Sequence, residues 1–202
     1  NFREKDILLV MRIIAGKSRH LPLITPTGEG TRPTTDRIKE TLFNMLQYQL
    51  ADIVFLDLFS GSGGICLEAV SRGAAKGYMV ENNKEAIKCI KENIKSTHLE
   101  ASCVLIESDV ESALIHQLPK YMVNPVDIIF MDPPYQAGIE EHLFQVFSTL
   151  SYVDNNTLII VESEKKRDFG FLEQLNFKIE REKIYKTNKH VFIRAIKETN
   201  ET

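Results

Sequence analysis

Short apolar runs alternate with longer amphipathic segments along most of the chain. Five apolar runs predict buried strands, at residues 53–58, 77–81, 103–107, 126–131 and 157–162. The spacing of apolar side chains between and before these runs predicts helices, at about residues 36–50, from residue 65, and at 83–96 and 139–150. This alternation is typical of a mainly parallel sheet with helices on both faces.

Two hairpins are also predicted, by residues 11–14 with 21–24 and by residues 177–185 with 190–196 around a turn at 187–189. Residues 28–30 are expected to form a flexible loop after the first hairpin. Either Thr34 or Thr35 would then cap the helix that begins near Asp36.

The most informative motif is Asp132-Pro133-Pro134-Tyr135, which directly follows the apolar run at residues 126–131. Proline fixes its own φ and restricts the residue before it, so the Asp132 carboxylate and the Pro133 carbonyl are presented with little reorganisation. These acceptors suit the hydrogens of an exocyclic amine, and Tyr135 suits stacking on the base that carries it. The alternative is a Pro-Pro turn in which Tyr135 caps the core, and the motif alone does not decide between them.

A glycine-rich turn follows the first predicted strand, which ends at Asp57. Residues 58–64 read Leu-Phe-Ser-Gly-Ser-Gly-Gly and lead into a helix. Glycines let a ligand approach the backbone, and the helix N-terminus favours a negative group such as a carboxylate. A dinucleotide fingerprint requires a third glycine where Cys66 stands, which weakens a nicotinamide interpretation.

Acidic residues follow several of the predicted strands. Glu81 lies 20 positions after Gly61, where a Rossmann-like fold directs a carboxylate at ribose hydroxyls. Asp109 suits the amino group of an adenine and Val110 its ring, although Asp109 serves equally well as a helix N-cap. The fold would place four acids at the carboxyl ends of strands, the ligand-binding edge of open α/β sheets: Asp57, Glu81, Asp109 and Asp132.

Composition agrees with one α/β domain. The chain has 202 residues, of which 43% are hydrophobic, enough for one sizeable core. No apolar run approaches the roughly 18 residues of a membrane span and no secretory leader is evident, so a soluble, cytoplasmic protein is expected. The three cysteines lack C-x-x-C spacing, which favours neither disulfides nor a metal site. The five histidines lie in no motif and are expected to have no catalytic part.

Basic charge is concentrated near the N-terminus although the net charge is −3. Residues 11–40 carry six basic against three acidic side chains, and phosphate attraction depends on such local clusters. For Lys39 and Glu40 we prefer the interpretation of a solvated surface with ion pairs.

Three further blocks add to these motifs: Met-Arg-Ile-Ile-Ala-Gly at residues 11–16, Thr-Arg-Pro-Thr-Thr-Asp-Arg at 31–37 and Leu-Glu-Ala-Val-Ser-Arg-Gly-Ala at 67–74. With them the chain resembles the class I S-adenosylmethionine-dependent methyltransferases and, from residue 11 onwards, the RsmD family of 16S ribosomal RNA guanine-N2 methyltransferases. That family often has Phe where Tyr135 stands, which leaves stacking intact.

The resemblance implies a Rossmann-like α/β fold, a mainly parallel seven-stranded sheet with an antiparallel C-terminal strand and a short N-terminal β-hairpin. Residues 1–10 would be an extension or cloning remnant, residues 11–34 the hairpin and a basic loop, and residues 35–202 the methyltransferase domain. The cofactor would be S-adenosylmethionine and the partner 16S ribosomal RNA or a small-subunit particle. We expect a monomer that needs neither metal nor membrane.

The resemblance also assigns residues to roles. Catalysis would rest on Asp132, Pro133, Pro134 and Tyr135. Cofactor contacts would come from Asp57, Phe59, Ser60, Gly61, Gly63, Glu81, Asn82, Asp109 and Val110. RNA contacts would come from Arg12, Lys17, Arg19, Arg32, Thr34 and Arg37.

Four alternatives stay open. An adenine-N6 DNA methyltransferase shares the Asp-Pro-Pro-Tyr pattern, but the chain lacks a large target-recognition insert. A protein glutamine methyltransferase more usually has Asn in place of Asp132. A catalytically silent RNA-binding assembly factor is disfavoured by the intact motif at residues 132–135. An NAD-dependent oxidoreductase is disfavoured by Cys66 and by the lack of an evident proton-relay residue.

Overall fold

Seven strands form one sheet in the computed structural model, which describes residues 11–26, 36–134 and 138–196. The strands are β1 (Val54–Asp57), β2 (Lys76–Glu81), β3 (Cys103–Glu107), β4 (Ile128–Met131), β5 (Leu158–Glu164), β6 (Phe177–Ile184) and β7 (Asn188–Ala195). Their order is β3-β2-β1-β4-β5-β7-β6. Strands β1 to β5 pair in parallel, whereas β7 is antiparallel to both β5 and β6. The expected mainly parallel sheet with an antiparallel C-terminal strand is confirmed.

Helices connect the strands and cover both faces of the sheet. They are α1 (Asp36–Leu46), α2 (Gly64–Ser71), α3 (Lys84–Ser96), the short α4 (Val110–Ser112) and α5 (Ile139–Thr149). Asn83 starts α3 because its side chain accepts hydrogen bonds from the amides of Glu85 and Ala86. None of the helices in the described ranges is long and apolar enough to cross a membrane.

Two expected boundaries differ from the structure. Helix α1 ends at Leu46 rather than near residue 50, because the chain turns there and returns Leu50 to the core. The β6–β7 turn lies at residues 185–187, two positions earlier than expected. Asn188 and Lys189 belong to β7, where the side chain of Asn188 bonds Glu162 and that of Lys189 bonds Glu182.

Alternation along the strands decides which side chains share a face of the sheet. One face packs against α1, α2, α3 and the N-terminal segment, with Phe55 of β1, Phe130 of β4 and Ile160 of β5 in its core. Two positions further along each strand, the same alternation carries polar residues onto this face at the carboxyl edge, the edge where the parallel strands end. These residues are Asp57, Asp132 and Glu162.

The N-terminal segment lies along α2. It pairs with itself through one antiparallel bridge between Arg12 and Pro22, so the expected hairpin is present in a minimal form. At the carboxyl edge, the Ser62 hydroxyl lies 3.3 Å from the Met11 sulfur. At the other end, the amide of Lys17 donates to the carbonyl of Ser71, the last residue of α2, at 2.9 Å. The turn of this hairpin therefore lies at the amino edge of the sheet.

A buried carboxylate on α2 ties these parts together. The side chain of Glu68 is 0% exposed and accepts from the amides of Ile14 at 2.8 Å and Ala15 at 3.0 Å. It also pairs with Arg72 at 2.7 Å and with Lys39 at 3.5 Å. Because two backbone amides and two cations surround it, the charge of Glu68 is compensated despite its burial.

The expectation of a solvated Lys39 is wrong. Its side chain is 0% exposed, and its ammonium donates to the carbonyl of Arg12 as well as pairing with Glu68. Burial lowers the pKa of Lys39, and the charge of Glu68 opposes that shift. Position 39 falls on the inward stripe of α1 with Leu42, Phe43 and Leu46, so the helix period and not the residue type decides its environment.

Glu68→Gln should destabilise the protein by about 3–5 kcal/mol, because it leaves Lys39 and two backbone amides around a neutral side chain in the interior. Urea unfolding followed by circular dichroism measures the effect. Glu85→Gln is the matched control, since Glu85 pairs with Lys88 on the exposed surface of α3. Equal midpoints for the two variants would show that the Glu68 cluster contributes nothing special.

Candidate active site

The carboxyl edge gathers polar side chains from four adjacent strands. Asp57 follows from β1, Asp132 from β4, Glu162 from β5 and His190 from β7, all on the face that α1 and α2 cover. Asp57, Glu162 and His190 are buried, whereas Asp132 is partly exposed at the mouth of this site. The sequence prediction that acids meet at this edge agrees with the strand register.

Asp57 is a buried acid whose hydrogen bonds are incomplete. Its side chain accepts from the backbone at Phe59 and Cys66, yet its Oδ1 has no hydrogen-bond partner among the described residues. The pKa of Asp57 is raised to about 8, mainly by burial and in addition by the charges of Asp132 and Glu81. An unpaired buried acceptor is costly, so this position suits a ligand that brings a hydrogen-bond donor, above all a cationic one.

The turn after Asp57 leaves room for such a ligand. Gly61 has a φ of +54° and a side chain there would meet nothing within 4 Å, so the space beside its backbone is open. Gly63 has a φ of +79°, and a Cβ at this position would lie 2.9 Å from the sulfur of Met79. The turn is held by Ser60, whose hydroxyl donates to the Asp57 carbonyl at 2.9 Å. Phe59 packs partly buried against the core of the opposite face.

Glu81 connects the end of β2 to this turn. One carboxylate oxygen accepts from the Gly61 amide at 2.8 Å, and the other accepts from the amides of Asn82 and Asn83 at 2.9 Å each. The carboxylate thus lies beside the open space at Gly61, where a ribose contact was predicted. If the Gly61 amide gave up its hydrogen bond, that oxygen of Glu81 could accept from a ribose hydroxyl instead.

Asp109 caps the helix after β3. Its carboxylate accepts from the amide of Ser112 at 2.9 Å, which confirms the N-cap alternative. Val110 is partly buried against the core. A contact of these residues with an adenine stays a prediction.

Sequence reasoning missed a buried network behind Asp132. His190 is 0% exposed; its Nε2 lies 3.1 Å from Glu162 and its Nδ1 lies 3.1 Å from the Tyr185 hydroxyl. Asn188 donates to the other oxygen of Glu162 at 2.6 Å. Burial raises the pKa of Asp132, and the charge of Glu162 adds to the rise. Glu162 carried the same signal as Asp57, an acid at the end of an apolar run, but the pairing of β5 with β7 is not readable locally.

The predicted RNA-binding residues separate into two groups. Arg12 pairs with Asp36 at 3.1 Å, and Arg37 is exposed at the start of α1, near the carboxyl edge. Lys17 and Arg19 are exposed in the hairpin turn at the opposite edge. The structure therefore does not bring these two residues to Asp132. Predictions for Arg32, Thr34 and Tyr135 lie outside the described residues.

This arrangement defines a class I methyltransferase fold, and the solved structures agree. A protein from Escherichia coli named as a methyltransferase superposes with a TM-score of 0.74 at 29% identity, covering 92% of this chain and 98% of its own. A protein from Haemophilus influenzae named as a methylase gives a TM-score of 0.70 at 27% identity, covering 93% and 99%.

Sequence relatives narrow the class. The family model described as conserved hypothetical protein 95 matches residues 11–194. The ribosomal RNA small subunit methyltransferase D of Escherichia coli is 33% identical over 174 residues, covering 86% of this chain and 84% of that protein. The protein of the same name from Haemophilus influenzae is 35% identical over 159 residues, covering 78% and 80%. The chain belongs to this family, the RsmD family.

Asp57→Asn should make the stability of the protein less dependent on pH. The pKa of Asp57 is raised from 3.8 to about 8, so the folded chain holds this proton more tightly than the unfolded chain does. Its contribution to stability is complete below about pH 4 and is lost as the pH rises to about 8.

Asn carries no such charge. As the pH rises from 5 to 8, the free energy of unfolding of the variant should therefore increase relative to that of wild type by at least about 1 kcal/mol, the free energy that corresponds to roughly one pKa unit. Urea unfolding at both pH values measures the gain, and the pH 5 comparison controls for altered hydrogen bonds. A stability difference that is the same at both pH values would contradict the assignment of this carboxyl.

Proposed function

We propose that the protein transfers a methyl group from S-adenosylmethionine to the exocyclic N2 of a guanine in small-subunit ribosomal RNA. The observation that carries the proposal is the position of Asp132 beside Asp57, whose Oδ1 has no partner among the described residues, in a chain of this family. The substrate class rests on the relatives, which are named as ribosomal RNA small subunit methyltransferases.

The residues around the glycine turn fit the cofactor. Asp57 would accept from its ammonium group, which gives Oδ1 the donor it lacks. Glu81 would accept from the ribose hydroxyls, and Asp109 with Val110 would hold the adenine. The backbone at residues 61–64, at the start of α2, would face the carboxylate. When bound, S-adenosylmethionine supplies a methyl group activated by its sulfonium.

Asp132 and Pro133 would prepare the acceptor amine. The lone pair of an exocyclic amine is delocalised into its ring, and acceptors for both hydrogens make it more available. The Asp132 carboxylate and the Pro133 carbonyl would provide these acceptors. We propose in addition that Tyr135 stacks on the base. Rate would then come from position and preorganised electrostatics.

Access to this site favours an unpaired nucleotide. Asp132 lies at the end of a strand, and Pro133 behind it is buried, so a base must leave its stack to reach both. Unstacking costs less free energy for an unpaired loop nucleotide than for a nucleotide in a duplex.

The proposal is tested by transfer of labelled methyl from S-adenosylmethionine to small-subunit particles from cells that lack the protein. Naked 16S RNA, DNA and a protein extract are assayed in parallel, followed by nucleoside analysis. N2-methylguanosine in RNA is the expected product. Label in DNA adenine or in protein would overturn the substrate assignment, and cofactor binding without any transfer would favour a silent assembly factor.

Asp132→Asn should lower methyl transfer at least about 100-fold, because one acceptor for the amine hydrogens becomes a donor. S-adenosylmethionine affinity, measured by calorimetry, should change little. Asp127→Asn is the matched control: Asp127 is exposed at the other end of the same strand region and accepts from the Val54 amide at 2.8 Å. Loss of cofactor binding and transfer together in Asp132→Asn would indicate a structural role instead.

A further inference from the structure

Two loops extend the carboxyl edge beyond Asp132. The chain leaves β5 at Glu164 and continues through residues 165–167. The β6–β7 turn at residues 185–187 lies at the same edge, because β7 is antiparallel to β5 and begins where β5 ends. In the register of this pair, Glu164 lies opposite Asn188.

A backbone hydrogen bond joins the two loops: the amide of Lys165 donates to the carbonyl of Thr187 at 3.4 Å. Within the β6–β7 turn, the amide of Tyr185 donates to the carbonyl of Asn188 at 2.9 Å. Within the first loop, the amide of Arg167 donates to the carbonyl of Glu164 at 3.0 Å. These hydrogen bonds fix the backbone positions from which the side chains of both loops extend.

We call these two loops, residues 165–167 and 185–187, the rim. An ion pair connects the rim to the segment that carries Asp132. Arg167 donates to Glu140 at 3.0 Å, and Glu140 lies in the first turn of α5. Helix α5 begins only seven residues after Asp132, so the rim and the proposed catalytic segment are neighbours. The side chain of Glu140 is 10% exposed, which shields this pair from solvent.

Three lysines of the rim face solvent: Lys165, Lys166 and Lys186. None of them has an ion pair with the residues that the structure describes. Arg167 and Lys189, their basic neighbours, are instead neutralised by Glu140 and Glu182. We call Lys165, Lys166 and Lys186 the rim lysines.

We infer that the rim lysines bind the sugar-phosphate backbone of the RNA next to the nucleotide that enters the site. The inference rests on the proposed function. A nucleotide whose base reaches Asp132 places its flanking phosphates at the edge of the pocket, where unpaired ammonium groups attract them without reading sequence. The alternative is that the rim lysines are only solvated surface groups, in which case their removal would leave RNA affinity unchanged.

The test compares two triple variants of the full chain. The first is Lys165→Ala/Lys166→Ala/Lys186→Ala. The control is Lys76→Ala/Lys95→Ala/Lys178→Ala, which removes the same charge from exposed lysines at the amino edge. Lys76 and Lys178 lie at the starts of β2 and β6, and Lys95 in the last turn of α3. Binding of labelled 16S RNA is measured from low to high salt, with methyl transfer in parallel.

The rim variant should lose affinity on the order of 100-fold at 0.1 M salt, and its slope of log affinity against log salt should fall by about 2, since each lost contact to single-stranded RNA removes about 0.7. The control should keep the wild-type slope. S-adenosylmethionine affinity should be the same in all three proteins, which shows that the rim variant is folded. Equal slopes for the rim variant and the control would overturn the inference. Failure of wild type to methylate any RNA would instead overturn the proposed function.

Discussion

The carboxylate of Glu68 is the interaction on which the arrangement of the N-terminal half depends. It accepts from the amides of Ile14 and Ala15 and pairs with Lys39 of α1 and Arg72 of α2. One buried charge thus fixes the N-terminal segment and α1 against α2. Because α2 begins directly after the glycine turn, the same contacts bring the N-terminal segment beside that turn, where Met11 lies against Ser62. A buried ion network contributes little net stability against an apolar replacement, so its role here is to specify geometry.

Asp57 is also a buried acid, but its environment is the opposite of that of Glu68. Glu68 has cations beside it, whereas the nearest charges that act on Asp57 are the acids Asp132 and Glu81. The raised pKa of Asp57 follows from that contrast and from burial. The fold therefore carries an electrostatic cost at the carboxyl edge that a cationic ligand would relieve. Such unrelieved costs concentrate at functional sites, where binding energy offsets them.

Local signals in the sequence were sufficient for much of this structure. Apolar runs located the five parallel strands, and helical spacing located α3 and α5 within one residue at each end. Acids at the ends of apolar runs located Asp57 and Asp132 at one edge, since parallel strands must end together. What failed depends on contacts between distant segments. Lys39 is buried because Glu68 lies opposite it on α2, and the β6–β7 turn is displaced because Asn188 bonds Glu162 on a neighbouring strand. The role of His190 depends on the same pairing, which no spacing in the chain encodes.

The distribution of charge reconciles an acidic protein with an anionic partner. The net charge is −3, but screening limits exposed charges to a range of about 8 Å at physiological ionic strength, so an approaching phosphate responds to the nearest side chains. Two acids lie inward at the carboxyl edge: Glu162 is buried beside Asn188 and His190, and the raised pKa of Asp57 leaves much of its charge neutralised near pH 7. Exposed cations flank them, from Arg37 at the start of α1 to the rim lysines beyond β5, alongside exposed acids such as Glu164 and Asp168. In the proposed function, Arg37 and the rim lysines would attract a phosphate backbone to this edge, while the recessed Asp57 would accept from the cationic cofactor.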